Sequence, residues 1–123
     1  MSCSWFSANF GPERAFGGSC FRQFDGSMRG SGWFQEQGKN QPLRDIIVES
    51  EYRRGSILHQ ALHLTGTTED GKRRSVTGRV LSVCPTKIAM PDGATFINEG
   101  LTRFSLEGQE GYGIAEYWNS VHK

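Results

Sequence analysis

The chain has 123 residues, 36% of them hydrophobic and 22% charged, with 14 Lys and Arg against 13 Asp and Glu for a net charge of +1. That length makes one domain, and that balance excludes the strong basic field of a nucleic-acid or anionic-membrane binder. The 16 Gly and 8 Phe suit turns, bulges and aromatic strand positions, and so point to a curved all-β domain.

No basic region followed by an apolar run opens the chain, so no signal peptide is expected. No apolar stretch approaches the roughly 20 residues that a membrane-spanning helix needs. Cys3, Cys20 and Cys84 are odd in number and lack CxxC spacing, which argues against a disulfide framework or a zinc site. Cys20 and Cys84 fall in strand-like runs and are expected in the core. A reduced, cytoplasmic protein is the expectation.

Taken in order, residues 1–13 form a first strand or arm, Ser4 to Phe10, broken by Gly11-Pro12. Ala15 to Phe24 runs into Asp25-Gly26, a hairpin signal because both residues tolerate positive φ. The return strand is Met28 to Gln37, and Gly38-Lys39-Asn40 turns the chain again. Along Leu43 to Arg53, Ile46, Val48, Ser50 and Tyr52 share one face, while Ile47, Glu49, Glu51 and Arg53 share the other.

The run Ser56 to Leu64 fits a helical stripe at Leu58, Ala61 and Leu62, or a strand with Leu58, Leu62 and Leu64 on one face and His59, Ala61 and His63 on the other. The flanking Gly55 and Gly66 favour strand. Asp70-Gly71 is another hairpin turn, with Lys72-Arg73-Arg74 read as its solvated end. Val76, Gly78 and Val80 then alternate with Thr77, Arg79 and Leu81, until Pro85 ends the strand or puts it at an edge. After Lys87 to Met90, Pro91-Asp92-Gly93 turns the chain into Thr95 to Leu106 and Tyr112 to Trp118. Residues 119–123 are expected to fray. The sum is about eight or nine strands at intervals of about ten residues, an antiparallel meander forming a barrel or strongly curved sheet.

Three groups of residues could carry chemistry. His59 and His63 on a strand lie roughly 13 Å apart, too far for one metal ion, so no metal is expected and His59 enters as a cavity candidate. Glu99 and Arg103 share a strand face, and a final hairpin brings Glu116 back toward them. They fit an ion-pair network inside a barrel or an acid–base pair in a cavity. Gly111-Tyr112-Gly113 precedes a strand and is no phosphate loop; its missing side chains let a large residue such as Trp33 or Tyr112 pack close.

The run Phe21 to Gly32, then Gly78-Arg79-Val80, then Asn98 to Phe104 and Gly108 to Trp118, resembles the C-terminal half of the two-domain lipocalin-like β-proteins around carotenoid 1,2-hydratase (hydroxyneurosporene synthase). The resemblance spans about residues 15–118. It implies a single lipocalin-like domain over residues 1–123 and an apolar small-molecule ligand. It also implies a homodimer, because a second copy would cover the surface that a companion half covers in that family. Trp33, Tyr52, His59, Glu99, Arg103 and Glu116 are the residues expected near the cavity or dimer seam. Binding without turnover and without a cofactor is the first reading. A hydratase or isomerase using Glu99 or Glu116 as acid is one alternative, and a protein-interaction module is another.

Overall fold

The computed structural model describes residues 2–122. Eight strands follow one another round a closed antiparallel barrel: β1 (Ser2–Asn9), β2 (Arg14–Arg22), β3 (Met28–Glu36), β4 (Lys39–Tyr52), β5 (His59–Thr67), β6 (Arg73–Met90), β7 (Gly93–Leu106) and β8 (Gln109–His122). β8 closes the ring on β1, with Ala115 opposite Phe6 and Tyr117 opposite Ser4. The all-β meander expected from the turn spacing is the fold.

The turns form for the chemical reason read above. The Asp25 carboxylate accepts hydrogen bonds from the Ser27 amide at 2.9 Å and hydroxyl at 2.6 Å, while Gly26 takes φ +84°. At the next Asp-Gly, Asp70 accepts from the Lys72 amide at 3.1 Å and from the Thr68 hydroxyl. Other boundaries move. The second turn sits at Gln37-Gly38, both at positive φ, and β8 continues to His122 on its β7 partner rather than fraying.

Two bulges in the β4–β5 ladder decide which of its side chains point inward. Leu43 and Ile46 are both buried, three apart, because the β4–β5 register shifts between Arg44 and Ile47, where Asp45 takes φ +53°. The second shift pairs Glu51 with Ala61 but Tyr52 with His59, leaving Gln60 as the extra residue. Simple alternation puts His59 outside with Ala61 and His63; the bulge turns it into the barrel, where it is fully buried. The helical alternative for this run is thereby replaced by strand.

The interior is packed rather than hollow. Phe6, Phe10, Phe16, Phe34 and Phe104 fill it together with Leu62, Leu64, Ile46 and Val76, as eight strands leave an interior just wide enough for side chains. Close backbone approaches make this possible. A Cβ on Gly113 would meet the Ser7 carbonyl oxygen, so glycine there lets β1 and β8 close the ring. Trp33 lies outside and packs its indole over Gly17, not over Gly111 or Gly113. Cys20 is in the core as expected, but Cys84 is exposed on the outer half of β6.

One end is sealed. Arg74, expected in a solvated turn, is buried there with its guanidinium 4.2 Å from the Phe34 ring centroid. It pairs with Glu36 at 3.1 Å and Glu107 at 3.5 Å, and Glu107 also accepts from Arg14 at 3.0 Å. The opposite end carries Ser2, Arg22, Met28, Tyr52 and His59 and is not covered in this way. There β6 outruns β5, whose ladder with it stops at Ala61–Arg79, while the β6–β7 pairing continues to Met90–Gly93. Pro85 falls in this free stretch of β6, where the edge has no β5 to accept its missing N–H.

Candidate functional site

The open end holds a cleft of about 40 Å³. Alternation on β1, β2, β4 and β8 turns Ser4, Cys20, Val48, Ser50 and Tyr117 toward it, and Arg22, Met28, Tyr52 and Trp118 complete its rim. That volume takes a few water molecules or one polar group, not a whole ligand of ordinary size. The expected ligand-sized chamber is replaced by this cleft because the aromatic side chains fill the barrel. A broader depression of about 470 Å³ lies on the outer surface over Ala61, between Glu49, Glu51 and His63, and is open to solvent.

Tyr117 is the centre of the cleft floor. Its hydroxyl shares a short hydrogen bond with the Ser50 hydroxyl. Tyr52 and Phe6 meet its ring edge-on at 6.1 and 6.4 Å between centroids. The His59 imidazole lies flat on it, 3.9 Å away at an interplanar angle of 10°. His59 is itself pinned, with Nε2 2.8 Å from the Ala115 carbonyl oxygen. A carbonyl only accepts, so Nε2 carries the proton and Nδ1 is the bare acceptor. That Nδ1 has no partner among the described residues, and neither does Nδ2 of Asn98, which faces Tyr117 across the β7–β8 ladder.

The charges of the cleft follow from burial. Burial pushes Tyr117 and Tyr52 above the usual phenol range, opposed only in part by the Ser50 hydroxyl at Tyr117 and by the Arg22 charge at Tyr52. Burial likewise raises the Cys3 and Cys20 thiols. It lowers His59, against its bond to Ala115. At neutral pH these groups are therefore uncharged. Among the described lining residues Arg22 is the one charged side chain, and no carboxylate stands with it. The site is a set of neutral hydroxyl donors beside one guanidinium.

The six residues singled out in the sequence separate. Tyr52 and His59 are at this end, Tyr52 on the cleft rim and His59 under its floor. Trp33, Glu99, Arg103 and Glu116 are on the outer surface, each between inward-facing neighbours on its strand. The interior ion-pair network expected of Glu99, Arg103 and Glu116 is therefore corrected. Glu99 stands directly opposite Glu116, and Arg103 opposite Arg79. The ion cluster is instead at the sealed end, where the buried Arg74 and the half-buried Arg14 pair with Glu36 and the exposed Glu107. Sequence reasoning missed Arg22, Ser50 and Tyr117 as lining residues. The alternation Ala115, Tyr117 was the available signal for the last.

The family described as a domain of unknown function, DUF7064, matches residues 1–121. The chain belongs to the DUF7064 family. Its barrel is thus the fold of essentially the whole matched domain, and the cleft lies inside the matched span. No curated protein matches the chain. For this DUF7064 domain no helix of the described residues is long and apolar enough to cross a membrane.

Proposed function

We propose that this DUF7064 domain binds a small amphipathic molecule with an anionic head, of the carboxylate class, at the open end of the barrel. The observation that carries this is the cleft lining, a guanidinium and several neutral hydroxyl donors with no carboxylate among the lining residues; the nearest one, Glu116, is held outside by the Trp118 indole. A carboxylate accepts charge-assisted bonds from Arg22 and ordinary ones from Ser50, Tyr52 or Tyr117. The apolar body rests outside the packed core, against the exposed Phe24 and Ile57 of the neighbouring turns and the Met28 side chain. His59 acts as a positioning residue, holding the Tyr117 ring from below. The three free thiols suit a reducing compartment such as the cytoplasm.

Titration calorimetry with octanoate and with octanol tests this. Octanoate is expected to bind saturably and octanol more weakly. Arg22→Gln should weaken octanoate binding about tenfold or more, the scale of a lost charge-assisted hydrogen bond, and leave octanol unchanged. Arg29→Gln, on the outer face of β3, is the control and should change neither. Equal binding of the two probes, or no saturable octanoate binding, would rule the proposal out. The hydratase or isomerase alternative using Glu99 or Glu116 finds no support in the cleft, because both carboxylates lie on the outer surface.

A further inference from the structure

The outer face of β6, β7 and β8 carries an ordered charge pattern that the cleft does not use. Going from the open end toward the sealed end, outward side chains form three rows. The first is acidic, with Glu99 of β7 directly opposite Glu116 of β8. The second is apolar, with Leu101 opposite Ile114, and the bulged Leu81 of β6 beside them. The third is basic, with Arg79 of β6 opposite Arg103 of β7. Like charges placed directly opposite destabilise a sheet, yet the chain does this twice. None of the four charged residues makes a salt bridge within 4 Å among the described residues. Glu110 lies one row beyond the basic pair and is exposed. Leu101 is 47% and Leu81 46% exposed, so the middle row is bare apolar surface.

Such a pattern is self-complementary. Consider a two-fold axis in the plane of the face, running across the strands along the Leu101–Ile114 row. Rotation about it reverses the order of the rows and leaves each strand position in place. Glu99 of one copy then comes opposite Arg103 of the other, with Glu116 and Arg79 flanking, and the leucine rows meet at the axis. An axis along the strands would instead set acid on acid. We propose that this face is an isologous interface between two copies of the chain. Three rows at about 6.7 Å and three strands at about 4.8 Å make a patterned face of roughly 290 Å² a side, smaller than a standard interface, so a weak dimer with a Kd of about 100 μM is expected.

Sedimentation of the whole chain at about 1 mM, well above such a Kd, should give a mass approaching twice the 13.7 kDa of one copy. Arg103→Glu makes the face mainly acidic, and Glu99→Arg makes it mainly basic. Each variant alone should dimerise at least about tenfold more weakly, because like charges now meet across the axis. Mixing the two variants should restore a dimer, since an acidic face then meets a basic one. That recovery excludes misfolding as the cause of dissociation. A 13.7 kDa species for the natural chain, reversal variants that dimerise undiminished, or a mixture that stays monomeric would each overturn the proposal. None of these outcomes depends on whether the cleft binds octanoate.

Discussion

Replacing Asn98 by Leu should stabilise the barrel. Asn98 is 1% exposed, and its Nδ2 donor has no partner among the described residues. A buried donor left without an acceptor costs about 1–3 kcal/mol. Leu keeps the γ-branched shape and removes that cost, at the risk of slight crowding against Tyr117 and Pro85, its ladder partners. Strand propensity adds a few tenths of a kcal/mol in favour of Leu. The expected net gain is about 1–2 kcal/mol, which for a domain of this size raises Tm by about 5 °C. Urea unfolding at neutral pH measures it, with the midpoint rising and the m-value unchanged. A loss of more than about 1 kcal/mol would refute the reasoning, because it would mean that the amide is satisfied by a buried water or a bound molecule.

Two further outcomes follow from the same interior. Burial holds His59 below its ordinary 6.5, so the folded state resists a proton that the unfolded chain accepts. Stability is therefore complete above pH 6.5 and falls as the pH drops below it, and His59→Phe, which keeps the flat stack on Tyr117, should abolish that slope between pH 7.5 and 5 in urea melts. Asp25, Asp70 and Glu107 are held below their usual range by hydrogen bonds and act only at lower pH, outside this window. Gly113→Ala should cost about 2–4 kcal/mol, because its Cβ would meet the Ser7 carbonyl and force the closing β1–β8 ladder apart. Gly26→Ala, at φ +84° with open space around it, should cost only about 1 kcal/mol in the same urea melts.

The sequence by itself determined the class and, to within one, the count of the strands. Asp25-Gly26 and Asp70-Gly71 are local devices whose carboxylates and positive-φ glycines make turns without help from the rest of the chain, and the period-two pattern of Val76, Gly78 and Val80 needs no partner to be read. Tertiary structure decided what faces what. The bulges at Asp45 and Gln60 are set by how β4 and β5 must coil around the core, and one extra residue moved His59 from the surface to the floor of the cleft. Glu99 comes opposite Glu116 as the hairpin pattern implied, with Arg103 two rows away, but barrel closure fixes which side of the sheet is inside, and that side takes Asn98, Thr102, Ala115 and Tyr117. Arg74 looked like part of a charged turn and is buried because Phe34 and Glu36 arrive from β3 and Glu107 from the β7–β8 turn. Closure itself is a contact between the first strand and the last, the longest separation the chain allows, and no local pattern contains it.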